Sequence, residues 1–143
     1  MPPLTMDDAR PFVADHHRGV LATLKSSDGR PQLSNVAYAL IDGEIRVSLT
    51  DTRAKTGNMR RDPRVSLHVT SDDFWTYVVV EGTAHLSPVA REPGDTTCQR
   101  LLELYEAISD KPHDDPDEFH AAMVDERRLE LSFGIEHLYP IRR

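Results

Sequence analysis

The sequence predicts a mainly β protein with inserted helices, arranged as a small closed antiparallel barrel. Three observations carry this. Six short runs of alternating or continuously apolar residues lie between residues 19 and 136. Turn signals join several of them, the strongest being Asp42-Gly43, a dipeptide suited to the left-handed backbone of a tight hairpin. Helical periodicity does not alternate with strands one for one, which disfavours a doubly wound parallel sheet.

The elements follow in order. Thr5 and Asp8 have the spacing of a capping box, and Ala9, Phe12, Val13 and His16 then share one helical face, so a short helix runs to about residue 16. Residues 19–25 form the first strand. Ser26 to Gly29 turn the chain, and residues 31–41 form the second strand. Asp42-Gly43 leads into a third strand over residues 44–49. A short polar segment with helical potential follows. Val65, Leu67 and Val69 alternate in a fourth strand. Residues 76–86 form a fifth, whose continuous apolar centre fits burial on both faces or a subunit interface. Cys98, Leu101, Leu102, Tyr105 and Ile108 then mark one face of a helix, and Phe119, Ala122 and Met123 mark another. Between residues 103 and 118 the chain is acidic and reads as a solvated helix pair. Leu129, Leu131, Phe133 and Ile135 alternate with polar or small residues in a sixth strand.

Residues 1–143 read as one domain, long enough to bury a real core. The net charge of −7 leaves no broad basic face for nucleic acid or for an anionic membrane. No apolar run approaches the roughly 20 residues of a membrane helix. The first eight residues lack the basic and apolar parts of a secretion signal, and the single cysteine, Cys98, fits a reducing compartment, so a cytoplasmic protein is expected. The histidines show no metal-ligand spacing, and adjacent His16 and His17 would point to different sides of a helix.

Residues 50–64 stand out. Between residues 53 and 64, five basic side chains face one acid, so this window carries +4 on an acidic chain. A phosphate wants backbone N–H groups at a helix start and a cation or two beside them. Thr50, Asp51 and Thr52 are natural cap residues, and Arg53, Lys55 and Thr56 fall in or just before the first turn. An anion site is the favoured reading for those three. For Arg60, Arg61 and Arg64 solvated charges at a helix C-terminus are favoured, because they suit its dipole. A second cluster, Gln32 to Val36, places Gln32, Ser34 and Val36 on one strand face and Leu33 and Asn35 on the other. It suits either a planar heterocycle or an ordinary solvent-facing surface. Trp75, the only tryptophan, could stack on a ligand or pack in an interface.

Four motifs then carry a resemblance: Arg30-Pro-Gln-Leu-Ser-Asn-Val36, the Arg53-Ala-Lys-Thr segment with Asn58, Arg61-Asp-Pro-Arg64, and Phe74-Trp75 with Tyr77 and Glu81-Gly-Thr-Ala84. Together they closely resemble the flavin and deazaflavin oxidoreductase split-barrel family, which is related to pyridoxamine 5′-phosphate oxidase. The likeness is greatest to the actinobacterial branch that binds the deazaflavin coenzyme F420. The resemblance implies a six-stranded split β-barrel, and a homodimer with cofactor sites along its interface. It implies that Arg53, Ala54, Lys55, Thr56 and Asn58 hold the cofactor phosphate. Gln32, Ser34, Asn35 and Val36 would line the ring, Thr50 would lie near the ribityl chain, and Trp75 would approach from the partner subunit. Arg128 would serve the cofactor tail or the substrate.

Two departures rank the cofactors. An arginine-rich C-terminal segment for substrate phosphate is absent from Leu138 to Arg143, and no Arg…Lys pair precedes the cofactor motif. F420 therefore stands ahead of FMN, and vitamin B6 oxidation is disfavoured. The expected activity is hydride transfer between the deazaflavin and a small organic substrate. The alternatives are an F420- or FMN-binding carrier or sensor without turnover, and an FMN-dependent enzyme resembling pyridoxamine-phosphate oxidase. No catalytic residue is assigned. Tyr38 is a candidate proton donor that alternation could equally send into the core.

Overall fold

A computed structural model describes residues 4–142. The reading of the leader at residues 1–3 and the final Arg143 lie outside these residues. Among them, the chain forms α1 (Met6–Asp15), β1 (Arg18–Leu24), β2 (Pro31–Ala37), β3 (Ala39–Ile41), β4 (Glu44–Thr50), α2 (Ala54–Arg61), β5 (Arg64–Thr70), β6 (Thr76–Thr83), β7 (His85–Leu86), α3 (Thr96–Ser109), α4 (Pro116–Asp125), β8 (Arg128–Gly134) and β9 (His137–Arg142). They make two antiparallel sheets, in the orders β2-β1-β5-β6-β9 and β3-β4-β8-β7.

The mainly β class with inserted helices holds, while the six predicted strands become nine. The run over residues 31–41 is cut at Tyr38, where the chain leaves the first sheet and enters the second. Tyr38 is fully buried there, its N–H donating to His17 O at 2.9 Å and its hydroxyl to Val13 O at 2.6 Å. The run over residues 76–86 is cut at Ala84, whose N–H turns away to Pro63 O at 2.7 Å. Residues 137–142, not expected as a strand, pair with β6. At Gly82 the two sheets come into contact, and a Cβ there would stand 2.5 Å from Gly134 O and 2.7 Å from a ring carbon of Phe133. The Asp42-Gly43 hairpin forms as expected, with φ of 52° and 80°.

Between the sheets lies a core that includes Leu21, Ile45, Leu49, Leu67, Val80, Leu129 and Phe133, all essentially inaccessible. The helix α1 carries the expected capping box. It also runs through Pro11, whose missing N–H falls on the exposed side. Among the described residues no helix is long and apolar enough to cross a membrane.

The helix α3 packs against β4 and β8 and is tied there by charge: Arg100 donates to Glu130 at 2.7 Å, and Arg46, buried in β4, reaches Glu103 at 3.3 Å. Its start depends on Asp95, the N-cap, whose carboxylate accepts from the N–H groups of Arg91, Glu92 and Cys98. Burial alone would raise this carboxyl's pKa, but the N–H bonds from Arg91, Cys98 and Glu92 outweigh it and bring it down to about 2. The folded value lies below the unfolded one, about 3.9. Its stabilisation is therefore complete above about pH 4 and is lost as pH falls toward 2. Asp95→Ala is expected to cost about 1–2 kcal/mol at neutral pH. Urea denaturation of wild type and variant should show that gap narrowing between pH 4 and pH 3; a constant gap would mean the charge is irrelevant to the cap.

Candidate functional site

The site forms where the ends of β2, β4 and β8 meet the start of α2. Register sets the geometry: Thr50 of β4 pairs directly with Arg128 of β8, so the last residue of one strand lies beside the first of the other. Three residues beyond Thr50, the chain enters α2 with Arg53 at the N-cap. Arg53, Lys55 and Arg128 thereby line one cavity of about 360 Å3, together with Ser48, Thr50 and Thr52. A second cavity, of about 400 Å3, shares Ser48, Lys55 and Arg128 with the first and reaches Asn35, Val36 and Ala37 of β2. A third, of about 500 Å3, continues along the same β2 residues to Val20 and His68. These volumes suit small-molecule sites.

The helix start differs from expectation. Thr50, Asp51 and Thr52 do not cap α2, and Arg53 holds the N-cap without a side-chain cap bond. The reason is local: Thr50 remains in β4, and the Asp51 carboxylate is taken by Arg60 at 2.6 Å and Arg127 at 2.9 Å. The backbone N–H groups at the helix start thus stay free of a side-chain cap, which favours an anion.

The basic island divides as its charges are used. Arg60 pairs with Asp51, Arg64 with Asp62 at 2.7 Å, and Arg61 donates to Asn58 Oδ1 at 3.2 Å. These three are engaged in local pairs rather than simply solvated. Arg128 is held by Glu126 at 3.0 Å. Lys55 and Arg53 have no side-chain partner among the described residues. Burial lowers the Lys55 pKa, and repulsion from Arg53 and then Arg128 lowers it further. A half-buried cation held among like charges is a fit for a bound anion, the requirement a cofactor phosphate would impose.

Other expected site residues support the cleft from behind. Thr56 is fully buried, and its hydroxyl donates to Thr50 O at 2.9 Å. Its proton is therefore committed to the chain itself. Buried Asn58 donates to Gln32 Oε1 at 2.7 Å and to Thr23 Oγ1 at 3.1 Å, binding α2 to β1 and β2. Asn35, Val36, Thr50, Arg53 and Lys55 come together around the cleft; Gln32, Ser34, Ala54, Thr56, Asn58 and Trp75 line none of its three cavities. Ala54 is exposed and Ser34 half-buried. Trp75 lies on the β5–β6 loop, 57 % exposed, edge-on to Phe74.

Tyr38 is a core residue: burial pushes its pKa up and its proton goes to Val13 O, so it is no proton donor for the cleft. Sequence reasoning missed Ser48 and the walls that α3 and α4 contribute. The apolar stripes of both helices were visible, but nothing in them distinguishes a core face from a cavity wall.

The profile of the pyridoxamine 5′-phosphate oxidase family matches residues 5–132, and the chain belongs to that family. Among solved structures, a conserved hypothetical protein from Mycobacterium tuberculosis is similar at 26% identity, with a TM-score of 0.76 over 96% of this chain and 84% of that one. An F420 reductase shares the fold at 23% identity and a TM-score of 0.68, covering 91% of this chain and 94% of its own. A FAD-binding protein from Mesorhizobium loti shares it at 21% identity and a TM-score of 0.67, covering 97% and 93%.

Proposed function

We propose that the chain is a coenzyme F420-dependent oxidoreductase that transfers a hydride between the deazaflavin and a small organic substrate. One observation carries the reading: Lys55 sits half-buried beside Arg53 and Arg128, without a partner among the described residues, at a helix start whose N–H groups lack a side-chain cap. That is the chemistry a cofactor phosphate needs. The cleft then runs along Asn35–Ala37, an exposed strand end against which a flat ring can lie. Family membership and the F420 reductase fold neighbour support a flavin-type ligand, and the motif resemblance favours F420 over FMN.

Each group of residues has a distinct task in this reading. Arg53 and Lys55 fix the anion. Thr56 and Asn58 hold the helix start in place through Thr50, Thr23 and Gln32. Asn35 and Val36 flank the ring, and α3 and α4 exclude water from one side. The cofactor itself supplies the hydride chemistry. We further propose a cytoplasmic homodimer with a cofactor site at each interface, as the motif resemblance implies.

Titration with F420 and with FMN, each followed by ligand fluorescence, tests the cofactor. F420 is expected to bind more tightly; equal or tighter FMN binding reverses the ranking. The second reading is an F420- or FMN-binding carrier or sensor without turnover, and catalysis separates the two. Protein should accelerate oxidation of reduced F420 by some member of a broad acceptor panel. If no acceptor is accelerated, the carrier reading stands instead.

A further inference from the structure

The cavity between α3, α4 and the end of β2 has two chemically different halves. Its roof is apolar: Leu101, Leu104, Ile108, Phe119 and Met123 face it from the two helices. That roof is braced, because Phe119 packs on Tyr105 at 5.5 Å and on His113 at 5.3 Å, while α3 is tied to β8 by the Arg100–Glu130 pair. Its floor and rim are polar: Ser48, Lys55 and Arg128. At the rim the charges do not balance. Arg128 places Nε and Nη2 on one Glu126 oxygen, at 3.1 and 3.0 Å, while the Lys55 ammonium has no partner among the described residues. Two cations against one carboxylate leave one positive charge. Arg53 adds another in the neighbouring cavity, which Lys55 and Arg128 also line.

We propose that this cavity is the acceptor pocket, and that it takes a small amphipathic monoanion, an aromatic or alkyl body under the α3–α4 roof with a single carboxylate at Arg128, Lys55 being shared between that carboxylate and the cofactor anion beside Arg53. Its role as an acceptor pocket rests on the oxidoreductase reading above; its ligand chemistry does not. A phosphate carries more charge than this rim leaves uncompensated, and the uncapped helix start beside Arg53 suits it better. A neutral apolar molecule would satisfy the roof and leave the rim cations unpaired. An amphipathic carboxylate satisfies both halves, since the other edge of the guanidinium can donate directional hydrogen bonds to it.

The test uses trans-cinnamate, its neutral counterpart cinnamyl alcohol, and phenyl phosphate as probes. Binding is followed by calorimetry on the full chain, first alone and then saturated with F420. Cinnamate is expected to bind at least about tenfold more tightly than the alcohol, the scale of one charge-assisted hydrogen bond. It should also bind more tightly than phenyl phosphate in the F420-saturated protein. Arg128→Leu should erase the preference over the alcohol and leave alcohol binding unchanged. Met123→Trp should fill the roof and abolish both probes; Ile108→Trp reads the same wall should the first variant fail to fold. Equal binding of acid and alcohol, displacement of F420 by cinnamate, or cinnamate binding that survives both tryptophan variants would overturn the proposal. Cinnamate binding in a protein that binds neither F420 nor FMN would sink the oxidoreductase reading and leave the pocket standing, so the two failures are separable.

Discussion

Phe133→Ala is expected to destabilise the protein by about 3–5 kcal/mol, the range for truncating a large buried aromatic side chain. Phe133 is inaccessible to solvent and pairs with Ile45 across β4 and β8. On its other side it fills the seam where the two sheets touch, its ring carbon lying 2.7 Å from where a Cβ on Gly82 would be. Both neighbours are backbone held in sheets, so the gap left by the ring cannot collapse cheaply. The converse change, Gly82→Ala, is expected to cost about 1–3 kcal/mol by overpacking. Combining the two separates the causes. The alanine methyl would still meet Gly134 O at 2.5 Å with the ring gone, so Phe133→Ala should not rescue Gly82→Ala. Urea denaturation of the two single variants and the double variant measures this. A Phe133→Ala loss below about 1.5 kcal/mol would mean that the seam relaxes, against the cavity costs usual for buried aromatics.

Much of the β class was legible because alternation and turn chemistry are local. Asp42-Gly43 announces its hairpin in two residues, and Thr5 with Asp8 announces the start of α1. What was not legible depends on residues far apart in the chain. Tyr38 and Ala84 interrupt nothing in the apolar pattern; each strand is cut there because the following residues find partners in the other sheet. The charge excess over residues 53–64 was plain, and so was its anion-binding potential. Which cations remain available was not, because Asp51 is shared by Arg60 and by Arg127, which is 76 residues away. Thr56 and Asn58 have the side chains a phosphate would use, yet their hydrogen bonds go to Thr50, Thr23 and Gln32 once the sheets form. The place of Arg128 beside Thr50 follows only from the β4–β8 register.

Lys55→Ala is expected to weaken F420 binding by about 1.5–3 kcal/mol, the scale of a hydrogen bond to a charged group. The size of the effect follows from the lysine's surroundings. Burial, then Arg53, then Arg128 disfavour its charged form in the free protein. A bound phosphate reverses that balance and raises the pKa again. With the bound value above the free one, affinity is complete at pH below the free pKa and is lost as pH rises through it. The affinity of wild type should therefore fall on the alkaline side, and that of Lys55→Ala should fall less. Added salt should weaken wild-type binding more than that of the variant, since the variant has one charge fewer to screen. Stability should move the other way. An ammonium disfavoured in the fold is a small burden while charged, so Lys55→Met should leave the free protein at least as stable as wild type in urea. Were both outcomes found, ligand binding would rest on a residue that the unliganded fold does not need. Unchanged affinity in Lys55→Ala, or a clear loss of stability in Lys55→Met, would assign this lysine to the fold rather than to the ligand.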